Sequence, residues 1–303
     1  IVVAVPTLIA QLSAPKDRGL TLTLWGTFFG VAFAVLAFAG RPLAISGGIS
    51  AVFLAHGIFM AGFALFLGFR DNSAYQRWWE GRILWGTMIN ASRNIARSTI
   101  NFLPDEAHDL KRTICLRHIA YVNALRCQLR KQPRNEVVLK YLSPEEAGPA
   151  LARTNTASAL MDGTGKRIDE ARRRGWIDTI QQHSMERVLI DILNAQGGME
   201  RIKNTPLPNQ YRFFPTFFTR LFCLLIPIGL VETLGYATPI GSTIAGLMFL
   251  AILQIGDDLV DPFADTVHDV PVTGMCRTIE IDLLELIGDE APAPLQPEKG
   301  VLW

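Results

Sequence analysis

The sequence is short of charge. Of its 303 residues only 19% are Asp, Glu, Lys or Arg, while 49% are hydrophobic, and a chain that apolar is no disordered tail. It has four cysteines (Cys115, Cys127, Cys223 and Cys276) with no CxxC pair, which excludes a disulfide framework and a zinc module and leaves reduced, inert thiols. The five histidines (His56, His108, His118, His183 and His268) lack the paired spacing of a metal-binding helix. No GxSxG or HExxH occurs, so hydrolase chemistry finds no support. The string Asp162-Gly163-Thr164-Gly165-Lys166 stops short of a phosphate loop because Arg167 stands where Ser or Thr must follow the lysine. The residues therefore imply neither an enzyme nor a bound cofactor.

The charges that exist are segregated. The net charge of +1 hides a first stretch, 1–69, with three Lys/Arg (Lys16, Arg18 and Arg41) and one acid, Asp17. Residues 70–212 hold 23 Lys/Arg against 15 acids, and residues 213–303 hold three (Arg220, Arg277 and Lys299) against 12. An apolar start, a basic middle and an acidic end read as a membrane protein. The basic excess is interleaved with acids, which describes a solvated helical surface and no nucleic-acid partner.

Four apolar stretches fit membrane spans. Thr21 to Gly40 is free of charge over 20 residues, enough at 1.5 Å per residue to cross the ~30 Å hydrocarbon layer. Pro42 to Phe69 is free of charge again, and beyond the Ser46-Gly47-Gly48 turn the second span covers roughly 51–69. The third and fourth, 214–233 and 237–256, are interrupted only by Arg220 and Glu232. Soluble core helices rarely need four stretches of this length. Lys16 and Arg18 before the first span, and Arg70, Arg77, Arg82, Arg93 and Arg97 after the second, place both termini in the cytoplasm. Those arginines also suit anionic lipid headgroups.

The organisation expected is all-α: residues 1–69 with spans one and two, a helical cytosolic region over 70–212, spans three and four over 213–256, and a cytosolic tail over 257–303. Apolar residues at helical spacing over 74–103 predict a long amphipathic helix continuing out of span two. A second helix restarts at Leu103-Pro104-Asp105-Glu106 and runs to about Gln132 before Pro133. Ser143-Pro144-Glu145-Glu146 opens another with an N-cap, a first-turn proline and two acids at the positive helix end. Further helices run to about Arg174 and from Trp176 to about Lys203. Arg77, Trp78, Trp79 and Glu80 lie in a Tyr-Gln-Arg-Trp-Trp-Glu string at the cytoplasmic end of span two, where an aromatic boundary belt is the plain reading. Ala61, Leu65 and Phe69 recur every four residues on span two with nothing polar on their face. One copy reads as a packed or lipid-facing helix, whereas several copies around an axis would stack apolar rings able to gate ions by dewetting.

Three blocks carry a family resemblance: Arg-Asp-Asn-Ser-Ala-Tyr-Gln-Arg-Trp-Trp-Glu-Gly-Arg-Ile-Leu-Trp-Gly from Arg70 to Gly86, Ile-Lys-Asn-Thr-Pro-Leu-Pro from Ile202 to Pro208, and Gly-Asp-Asp-Leu-Val-Asp-Pro-Phe from Gly256 to Phe263. In order and spacing they resemble the bacterial bestrophins across nearly the whole chain. The resemblance implies a homopentameric ion channel with four transmembrane helices per subunit and one central pore. It implies a neck lined by Ala61, Leu65 and Phe69, with Ala61 smaller than is usual at its level, and a lower cytosolic constriction at Ile180 or Gln181, the aliphatic Ile180 being preferred.

Animal members of that family bind calcium in an acidic cluster after the corresponding turn. Here only Asp265 and Asp269 stand as candidates, too few for a site of six to eight oxygens, so no metal is expected. For the permeant ion, Asp178 beside the lower constriction and Glu232 near the outer end of span three are the pore-mouth charges that favour a monovalent cation such as Na⁺, the expectation adopted. The alternative is a chloride or other anion channel of the same architecture, favoured by Arg220 and the basic middle. A secondary transporter would call for an internal repeat and a charge at mid-membrane depth, and a non-conducting membrane scaffold is the remaining reading.

Overall fold

The computed structural model describes residues 68–302, together with Ile45, Gly48, Leu54 and Ile58. Span one, Ala61 and Leu65 lie outside the described residues. Among those described, the secondary structure is helical, apart from an isolated bridge between Glu298 and Val301.

The elements are α1 (68–102), a 3-10 turn at Asp105–Ala107, α2 (His108–Arg130), α3 (Asn135–Leu139), α4 (Pro144–Leu151), α5 (Thr156–Arg173), α6 (Thr179–Asn204), α7 (Asn209–Leu234), a second 3-10 turn at Gly235–Ala237, α8 (Thr238–Asp258) and α9 (Val272–Leu286). They fall into two compact units: Ile1–Gln76 with Leu207–Val260, and Arg77–Pro206 with Asp261–Trp303.

The first unit is built on α7 and α8, which pack on each other as a hairpin. Phe222 meets Phe249 edge to face at 4.7 Å between centroids, and Cys223 lies against Gly246. Most of the pair's large apolar side chains are exposed, Leu224 by 70% and Ile240 by 67%, so this surface suits lipid rather than water. Asn209–Asp258 is long and apolar enough to cross a membrane. Pro215 and Pro227 sit inside α7, a placement that membrane helices tolerate.

The second unit has an ordinary water-excluding core. On α1, buried Gly81, Trp85, Met88, Ser92, Ile95 and Thr99 alternate at spacings of four and three, the signature of one helical face. Helix α2 is the centre: nearly every residue from Ile114 to Leu129 is buried, and it packs against α3, α5, α6 and α9. Each buried Leu or Ile contributes roughly 1.5–3 kcal/mol. Lys131, at φ 56°, closes α2 in the left-handed region, and Gln132 N–H returns to Cys127 O at 2.8 Å. Ser143 holds the N-cap position of α4 with extended backbone, but its side chain makes no capping bond. Asn155 caps α5 by accepting from Ser158 N–H at 2.9 Å. Burial pushes the thiols of Cys115 and Cys276 up to about 12, so neither is a nucleophile at neutral pH.

Candidate functional site

The expected pore residues divide between the units. In the first, Phe69 is described on the first turn of α1, half-buried, with its carbonyl accepting the Ser73 hydroxyl at 2.9 Å. Glu232 is exposed in the last turn of α7, where the negative end of the helix dipole opposes its charge.

In the second unit, Asp178, Ile180 and Gln181 come together at the start of α6. Asp178 is the N-cap: its carboxylate accepts Gln181 N–H at 2.7 Å, and the Gln181 side chain accepts Asp178 N–H at 3.0 Å. This reciprocal capping box uses both polar side chains locally. Ile180, between them, projects outward with 78% of its surface exposed. Of the two residues expected at a lower constriction, Ile180 is the exposed one, while Gln181 is held against the helix end.

The three sequence blocks are tied by contacts within each unit. In the first unit Arg70, 1% exposed, donates to Leu253 O at 3.2 Å and to the Asp257 carboxylate at the end of α8. Gly256 is required beside this pair: a Cβ there would lie 2.1 Å from Asp71 Oδ1 and 3.2 Å from Arg70 Nη1. With Arg70 buried and the Asp257 side chain 37% exposed, this link fixes where the start of α1 meets the end of α8.

In the second unit Arg77 donates to Ile202 O at 2.5 Å and to Thr205 O at 2.8 Å, tying the α1 block to the C-terminus of α6. Burial lowers the Arg77 pKa, and the carboxylates of Asp261 and Glu80 oppose that shift. Glu80 also pairs with Arg201. Lys203 donates to Asp261 at 2.7 Å and to Phe263 O at 3.2 Å. Trp78 packs on the core of this unit and donates its indole N–H to His268 O at 3.0 Å, while Trp79 stays 47% exposed, its ring 6.4 Å from that of Trp78. Trp78 thus has a packing role that the boundary-belt reading did not include.

The two calcium candidates are already engaged. Asp265, at φ 72°, pairs with Arg130 at 2.7 Å and accepts from Gln132 at 2.8 Å. Asp269 accepts the backbone N–H groups of Asp265 and Thr266 and, at 2.8 Å, the Thr266 hydroxyl. Burial lowers the Arg130 pKa while Asp265 opposes that shift. Among the described residues no group of three or more His, Cys, Asp or Glu is arranged to hold a metal.

Two features were missed in sequence. Arg70 was read as a membrane-end charge suited to lipid headgroups, whereas it is buried and its partner lies 187 residues away, beyond any local pattern. The α9 helix was hidden in an acidic tail, although Val272, Cys276, Ile279 and Leu283 recur at helical spacing and are all buried. The buried carboxylate of Glu280 on α9 is balanced by Lys140 at 3.0 Å, Arg277 at 3.1 Å and the Tyr141 hydroxyl.

Comparison with known proteins gives a consistent picture. A family model described as "Bacterial/Fungal Bestrophin protein" matches residues 23–285. The chain is 36% identical over 277 residues to the voltage-dependent anion channel-forming protein YneE of Escherichia coli strain K12, covering 91% of this chain and 84% of the relative. It is 35% identical over 236 residues to the voltage-dependent anion channel-forming protein mll4386 of Mesorhizobium japonicum, covering 78% and 75%. A crystal structure of a bacterial bestrophin homologue from Klebsiella pneumoniae superposes with a TM-score of 0.75 at 32% identity, covering 88% of this chain and 97% of the other.

Proposed function

The chain belongs to the bacterial and fungal bestrophins, and from that membership we propose that it is the subunit of a homopentameric channel passing monovalent anions across the bacterial inner membrane. The observation that carries the reading is the similarity over 91% of the chain to a protein named as anion channel-forming. The pore neck is formed by Ala61, Leu65 and Phe69, and the lower constriction by Ile180. Both termini face the cytoplasm.

The sign of the ion follows from how the charges are held. Apolar rings choose no sign, so nearby charge and helix ends decide. Asp178 favoured sodium in the sequence, but its carboxylate is spent on capping α6, where the positive helix end carries about half an elementary charge against it. Glu232, exposed in the last turn of α7, is then left alone on the side of cations. The sodium expectation gives way to the anion alternative, in agreement with the names of the relatives.

Bilayer recording tests the pore assignment. Leu65→Ala and Phe69→Ala change single-channel conductance or gating, and unchanged behaviour in both contradicts the neck. A detergent-corrected mass of about five times the 33.5 kDa chain supports the stoichiometry.

A further inference from the structure

One face of α7 lines a groove of about 790 Å³. Arg212, Thr216 and Arg220 follow one another along it at four-residue spacing, flanked by Phe213 and Phe217, and Leu224 closes the file. Neither arginine has a carboxylate partner among the described residues. The only acid on α7 is Glu232, twelve positions past Arg220, about 18 Å along the helix axis. Two guanidinium groups without a carboxylate partner among the described residues, on a mostly apolar helix, favour an external anion.

The geometry favours one with hydrocarbon attached. Helical side chains tilt toward the N-terminus, so Arg220 leans back toward Thr216 and Arg212, toward the membrane boundary at the start of α7. The Thr216 hydroxyl donates to Arg212 O at 2.8 Å. The positive end of the α7 dipole lies at the same level. On the other side, Phe213 and Phe217 stack at 6.0 Å and 12° and are 61% and 48% exposed. Past Arg220 the face continues as Leu224 and Ile228, about 70% exposed each. Cations at one end and an apolar track leading away from them match a headgroup phosphate with acyl chains. An inorganic anion would leave the apolar part unused.

We propose that this groove seats one anionic phospholipid per subunit, its phosphate held by Arg212 and Arg220 and a chain lying along Phe217 and Leu224. The site does not depend on which ion the pore admits. Native mass spectrometry of the full-length oligomer, delipidated and then given phosphatidylglycerol, tests it, with phosphatidylethanolamine and inorganic phosphate as competitors. Wild type retains phosphatidylglycerol in preference to phosphatidylethanolamine, and inorganic phosphate does not displace it. The Arg212→Gln/Arg220→Gln variant, with subunit number and helical circular dichroism intact, binds about thirtyfold more weakly, and Arg212→Lys/Arg220→Lys restores most of the affinity. Equal retention by the glutamine variant overturns the proposal. So does displacement by inorganic phosphate, which makes the site one for a free anion. A changed subunit number in the glutamine variant also overturns it, because the face is then an interface between copies.

Discussion

Four substitutions at three positions at the start of α6 separate a pore role from a structural one. Ile180 buries only about a fifth of its surface. Full burial of such a side chain is worth roughly 1.5–3 kcal/mol, so truncation to alanine forfeits about 0.3–0.6 kcal/mol, which the better helix propensity of alanine offsets. Ile180→Ala therefore leaves the melting temperature within about 2 °C of wild type. Gln181→Ala removes the bond to Asp178 N–H, at a cost of about 0.5–1.5 kcal/mol. Asp178→Ala loses the N-cap, about 1 kcal/mol, whereas Asp178→Asn keeps a good cap and removes only the charge. Thermal unfolding by tryptophan fluorescence and bilayer recording read the two quantities separately. Ile180→Ala alters conductance without altering stability, Gln181→Ala does the reverse, and Asp178→Asn, whose charge is spent on the helix end, has little effect on stability, conductance or ion preference. Conductance that changes in Gln181→Ala and stays constant in Ile180→Ala refutes the assignment. A stability loss above about 1.5 kcal/mol in Ile180→Ala contradicts its exposure.

Two further predictions concern the folded core of the second unit. A Cβ at Gly163 would lie 1.9 Å from Arg117 Nη2, and the Arg117 side chain, 5% exposed, holds Glu146 at 2.8 Å; Gly163→Ala forces the guanidinium to shift while Arg167 stays on Glu146, at a cost of about 1–3 kcal/mol, lowering the melting temperature by about 2–12 °C, and an unchanged melt would count against the packing described. Burial depresses the His118 pKa from 6.5 to about 3, with Ser92 at 2.8 Å and Tyr121 beside it. Below pH 6.5 the unfolded chain then binds a proton that the native chain refuses, so stability is present above that pH and falls by about 1.4 kcal/mol per unit toward pH 3. Denaturant melts of His118→Gln lack this part of the acid slope, and parallel slopes in both proteins would exclude a neutral buried imidazole.

What could be read from sequence was whatever local chemistry dictates. The spans over 214–233 and 237–256 correspond to α7 and α8, with the break at Gly235–Ala237, because length and absence of charge are local. Pro104 and Pro133 marked helix ends for the same reason. The start of α6 was misjudged by three residues: Trp176 was expected to open it, but Gly175 at φ 73° and the capping box of Asp178 and Gln181 delay the helix to Thr179. Helix α9 was missed because Glu280, Asp282 and Glu285 gave it the composition of a tail. Only the fold reveals that Glu280 is buried among Lys140, Tyr141 and Arg277. The links Arg70 to Asp257, Arg77 to Ile202 and Lys203 to Asp261 join blocks that the sequence could place in order but not in contact.

The reversal potential of the reconstituted channel under a tenfold NaCl gradient addresses the central claim most directly. An anion channel reverses near the chloride equilibrium potential, about 59 mV from zero for a monovalent ion. Reversal at the equal and opposite potential of sodium contradicts the anion assignment and returns the pore to cations.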